Sequence, residues 1–212
     1  MIRYLVCETK IAVPWGIFLV PFFFAVLRLT KAVSPEEPMV WEGWISFLEF
    51  VLPILFPVFS FTLLDQEKRW RTVEVMVATR RRKATVFLVR YLAMVFSLFC
   101  AVIAAVQPKE YILLLAPGLA LGGMALLFGF VFGEETGLGL ALGWWCFSIG
   151  LRVARNELLK SGVQSWVLLT LFGSALPRSE LLLRKWAHLG IGVFLTLLAL
   201  TVAEWKRSWS PK

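Results

Sequence analysis

Apolar stretches long enough to cross a bilayer recur along this chain, and no other feature constrains its fold as strongly. A helix needs about 20 apolar residues to span the hydrocarbon core. Five runs reach or approach that length: 11–29, 44–64, 84–106, 111–132 and 184–203. A sixth, 136–151, is shorter and glycine-rich ("TGLGLALGWWCFSIGL"), and an apolar run at 166–176 stops at Pro177. That last run is too short to span, so it is expected to dip into the membrane as a re-entrant segment. The expected fold is an all-α polytopic membrane protein: one domain over 1–212, six spans, and a re-entrant segment between spans five and six.

Composition removes the soluble alternative. The chain is 59% hydrophobic and 17% charged, with a mean hydropathy of +0.77. A soluble domain is nearer half apolar and about 25% charged. The first run carries Pro14 and Pro21 and no small-residue cleavage site follows it, so it is read as a retained span and not as a signal peptide.

The formal net charge is +8. In a membrane protein the positive-inside rule and anionic headgroups account for such an excess, so no nucleic-acid partner is expected. Seven of the 22 Lys and Arg residues lie at positions 68–83: Lys68, Arg69, Arg71, Arg80, Arg81, Arg82 and Lys83. That cluster sets the expected topology, with both termini in the cytoplasm and the protein in the cell membrane.

Several chemistries are missing from the sequence. There is no GxxxxGK[ST] phosphate loop and no HExxH, and one histidine (His188) with three scattered cysteines (Cys7, Cys100, Cys146) makes no zinc set. The only aspartate is Asp65, so an intramembrane aspartyl pair cannot be built. No catalytic, cofactor or metal residue is expected in this chain. The glycine pairs Gly118/Gly122, Gly129/Gly133 and Gly139/Gly143 are expected to let helices approach closely, and His188 reads as an interfacial residue near Arg184 and Lys185.

The segment 65–83 reads as an amphipathic helix of its own. Glu67 precedes Arg71 by four residues, the favourable order for a helical ion pair. Trp70, Val73, Met76 and Val77 recur at helical spacing as an apolar stripe. Such a helix can lie on the membrane surface with Arg80, Arg81, Arg82 and Lys83 near headgroup phosphates. On its own such a helix could be a plain lipid anchor that fixes topology. Asp65, Glu67 and Glu74 among the bases weaken attraction to anionic lipid and suit salt-bridged docking to a protein, and the pattern alone leaves both readings open.

This segment resembles the cytoplasmic loop after span two in the permeases of type-two ABC exporters. Glu67, Arg69, Thr72, Glu74 and the apolar "VMVA" fall in step with that family's pattern, and Arg80 to Arg82 fall at its basic end. Two positions depart from it: Arg71 stands where glycine is usual, and no proline occurs around 78–80. The resemblance implies a permease subunit without its own ATPase, in which 65–83 is the coupling helix. Glu67, Arg69, Arg71, Thr72 and Glu74 would dock a cytosolic ABC ATPase that binds ATP and magnesium. A second permease, identical or homologous, would pair with it, and an unidentified substrate would be exported. A non-transporting scaffold that recruits a cytosolic partner through the same helix is the rival.

Two charges fall within expected spans, Glu49 and Arg90. An ionisable group near the bilayer centre costs about 2.5–3.5 kcal/mol on insertion scales. Snorkelling to the interface would relieve it; contact with the translocation path or with a partner chain is the sharper reading. Pro53 and Pro57 should bend span two.

Overall fold

The computed structural model describes Phe23, Val26 and residues 38–69, 83–153 and 178–205. All regular structure among these residues is helical: α1 (Pro38–Arg69), α2 (Lys83–Ala105), α3 (Tyr111–Phe132), α4 (Glu134–Val153) and α5 (Arg178–Trp205), with a 3-10 turn at Pro108–Glu110. Three stretches, Trp41–Asp65, Tyr111–Phe132 and Leu182–Trp205, are long and apolar enough to cross a bilayer. Ala84–Cys100 is a shorter apolar helix. The chain is therefore an all-helical membrane protein. The expected first span at 11–29 and the re-entrant segment at 166–176 lie outside the described residues.

α3 has the bounds expected of the fourth span, 111–132, and its ends explain why. Pro108 opens the 3-10 turn ahead of α3, and Gly133 closes α3 with φ 110°, a conformation that favours glycine. The N–H of Gly133 bonds to the carbonyl of Gly129 at 3.0 Å. Glu134 and Glu135 then occupy the first turn of α4, where carboxylates suit the positive end of the helix dipole.

Other boundaries differ from expectation. α1 runs without a break through Leu64 to Arg69, so residues 65–69 continue the span and do not start a separate coupling helix. The sequence "LLDQEKR" contains no glycine or proline to stop a helix. Lys83, expected to end the coupling helix, is the first residue of α2. Residues 70–82 lie outside the described residues, and with them Arg71, Thr72, Glu74, Arg80, Arg81 and Arg82. The last helix begins at Arg178, six residues before the expected span.

α3 is the hub, packing against α5, α1 and α4. Its glycines and alanines allow close crossings. A Cβ at Gly192 of α5 would lie 2.6 Å from the carbonyl carbon of Leu119, and one at Gly123 would lie 2.7 Å from the Gly192 carbonyl oxygen. Gly137 of α4 meets the backbone of Ala125 and Gly129 just as closely. Gly118 and Gly122 face α1, with the Phe56 ring seated on Gly118 and Leu64 on Gly129. Gly139 and Gly143 do not serve such a crossing among the described residues: they are exposed, and a Cβ at either would meet nothing described within 4 Å.

Two apolar cores fix how the helices alternate. One gathers Leu63 and Leu64 of α1, Phe87 and Tyr91 of α2, Leu127 and Phe130 of α3, and Ala203 of α5. The other gathers Trp41, Leu48 and Leu52 of α1, Val102 of α2, Val106 just beyond it, and Leu114 of α3. The end of α1, the start of α2 and the end of α5 thus share one face of the bundle, and a carboxylate oxygen of Glu204 accepts the Ala84 N–H there at 3.0 Å. α4 begins at that face, next to the end of α3, and runs away from it. The links 70–82 and 154–177 must therefore leave from opposite faces. Cysteines placed at Val75 and Lys160 in a chain lacking Cys7, Cys100 and Cys146 should accordingly label from opposite sides of sealed vesicles; labelling of both from one side would contradict the alternation.

Candidate functional site

Proline chemistry prepares the polar layer in α1. Pro53 has no N–H to give the carbonyl of Glu49, and its ring crowds the turn before it. In lipid such loosened carbonyls are satisfied by neighbouring helices. Trp145 of α4 does this one residue along, its Nε1–H donating to the Phe50 carbonyl at 3.3 Å. The Trp145 and Phe50 rings meet edge-on at 4.6 Å. A turn after Pro57, the Ser60 hydroxyl lies 2.9 Å from the Phe56 carbonyl and 3.3 Å from that of Gly122, tying α1 to α3.

On the same stretch of α1, Glu49 meets Lys185 of α5. Lys185 Nζ donates to Glu49 Oε1 at 2.9 Å, and each side chain is 1% exposed. Neither charge snorkels: both are enclosed by the bundle. Attraction between the two charges and a short charge-assisted hydrogen bond offset the cost of removing them from water. Lys185 had the sequence appearance of a basic residue at a span's edge. Its burial follows from α5 beginning at Arg178, which carries Lys185 into the bundle.

One turn further along α5, His188 is also buried, 4% exposed, and its Nδ1 has no hydrogen-bond partner among the described residues. The bundle encloses it. The imidazole lines a cavity of about 200 Å³ between α3, α4 and α5. Its other walls include Leu121 and Met124 of α3, Trp144 of α4, and Ile191 and Leu195 of α5.

Arg90 is likewise buried, 3% exposed. It lies beside Tyr91 in the half of α2 that packs toward the opposite face from Glu49. The two intramembrane charges singled out in the sequence therefore belong to different layers. Glu67 and Arg69, expected from the sequence to dock a partner, lie in the last turn of α1, beyond the apolar Trp41–Asp65 stretch. No group of three or more His, Cys, Asp or Glu side chains that could hold a metal ion occurs among the described residues.

The polar layer was half legible. Glu49 stands out in the sequence as a charge within an apolar run, but helix topology alone decides whether it snorkels or meets one of the chain's own bases. Compared with known protein families, with curated proteins and with solved structures, the chain matches none.

Proposed function

We propose that this chain is the membrane-spanning permease subunit of an ATP-driven ABC exporter. Energy would come from ATP and magnesium bound by a separate cytosolic ATPase subunit, and a second permease, identical or homologous, would complete the pathway. The observation that carries the reading is the mixed-charge pattern Glu67, Arg69, Arg71, Thr72 and Glu74, followed by Arg80 to Lys83, between two apolar helices. The fold supports it in one respect. α1 delivers Glu67 and Arg69 beyond its apolar stretch, on the bundle face where α2 begins and α5 ends. In this reading that face is cytoplasmic, so the base-rich links and the carboxy terminus (Lys206, Arg207, Lys212) lie on one side.

The test is co-purification with a candidate ATPase. Glu67→Lys together with Glu74→Lys should abolish association while the chain still elutes as a single species. Charge reversal at rim contacts of this kind replaces attraction by repulsion, and a loss of at least about tenfold in affinity is expected. Retained association would remove the docking assignment. Association without substrate-stimulated ATP hydrolysis in reconstituted vesicles would favour the scaffold.

A further inference from the structure

We propose that the cavity between α3, α4 and α5 binds a lipid-dissolved molecule whose polar group is a single hydroxyl on a ring, a phenol or cyclic alcohol. The proposal holds whether or not the chain couples to an ATPase.

The argument begins with His188. A buried polar atom without a partner carries a desolvation penalty, and among the described residues the His188 Nδ1 finds none. Its ring stands in the wall of a space of about 200 Å³ whose other named walls are apolar side chains and the indole of Trp144. A cavity of about 150 Å³ with apolar walls already accepts a benzene ring, so this one has room for a single substituted ring. Trp144 offers that ring an aromatic surface.

The ligand's polar group follows from the imidazole. Neutral imidazole has one N–H donor and one acceptor nitrogen, and which nitrogen is which depends on its surroundings. A hydroxyl both donates and accepts, so it serves either tautomer. A carboxylate would need a free cation beside it, and the two bases one turn away are already engaged: Lys185 is bonded to Glu49, and Arg184 has an interaction of its own. The route of entry follows from exposure. Ile191 in the cavity wall is 44% exposed, and Ala187 and Gly190 beside it on α5 are also exposed. The mouth therefore lies on the bundle's apolar outer surface, which lipid covers.

The test uses the full chain in phosphatidylcholine nanodiscs, titrated with 4-bromophenol and with 4-bromotoluene. Bromine in contact with an indole quenches its fluorescence, and both probes are counted per mole of lipid. 4-Bromophenol should quench in a saturable manner at a concentration about tenfold below 4-bromotoluene, the order of one hydrogen bond made in a dry pocket. Trp144→Phe should remove the saturable component. His188→Phe should equalise the two probes, and His188→Asn, which keeps a donor and an acceptor, should preserve the preference. If His188→Phe fails to elute as a single species, the wild type, Trp144→Phe and His188→Asn still decide the matter. Linear quenching that is the same for both probes and insensitive to Trp144→Phe would mean partition into lipid only and would overturn the site. Saturable quenching without preference for the phenol would overturn the hydroxyl assignment.

Discussion

Lys185→Met should lower the stability of the folded chain by about 3–5 kcal/mol, because it leaves the Glu49 carboxylate charged, buried and without the ammonium 2.9 Å away. The double variant Glu49→Leu with Lys185→Met should be more stable than the Lys185→Met chain. Removing both charges leaves two apolar side chains of similar volume facing each other inside the bundle, a change that is often neutral or stabilising. Reversible unfolding in mixed micelles, followed by circular dichroism over the full double-mutant cycle, measures the coupling. Additive losses, each below about 1 kcal/mol, would mean that the pair is not enclosed as described. The cycle also separates structure from transport. An ion pair kept only for packing can be replaced by the apolar pair without loss of activity, whereas one that takes part in substrate passage cannot.

Gly192→Val should cost about 3 kcal/mol or more. Overpacking in a core typically costs about 1–3 kcal/mol when neighbouring side chains can shift. Here the first carbon added would meet backbone, 2.6 Å from the carbonyl carbon of Leu119 and 2.7 Å from the nitrogen of Ala120. α5 would have to move away from α3, taking Lys185 and His188 with it. Gly190→Ala is the control on the same helix. It has no neighbour within 4 Å and is exposed, so it should be neutral, or stabilising by about 0.5–1 kcal/mol through helix propensity. Both variants can be compared by the same unfolding assay. Equal behaviour would remove the close α3–α5 crossing as a determinant of the fold.

Three of the expected spans, 44–64, 111–132 and 184–203, were readable because lipid imposes one simple demand: each crossing needs an apolar run of bilayer length. α3 was bounded on both sides because Pro108 and Gly133 punctuate it. The end of α1 was misplaced for the opposite reason. Between Leu64 and Arg69 polarity changes but helix propensity does not, and a helix stops at breakers and caps. The partnership of Glu49 and Lys185 was beyond sequence reasoning, since the residues are 136 positions apart and on helices that meet chiefly through α3. Glycine spacing proved informative only where a neighbouring helix lay opposite. Gly118 and Gly122 have α1 across from them, while Gly139 and Gly143, with the same spacing, face away from the described helices.

The unbroken course of α1 gives the chain a mechanical arm. From Pro57 to Arg69 the helix runs about 18 Å at 1.5 Å per residue. Near its pivot, Pro53 and Pro57 interrupt the backbone ladder, and the Glu49–Lys185 pair clamps the segment before them to α5. A tilt of about 10° at the prolines would carry Arg69 roughly 3 Å sideways on an arm of that length. A push on the charged tip would reach the prolines with no loop on the way to absorb it, while the ion pair holds the far side of the pivot in place.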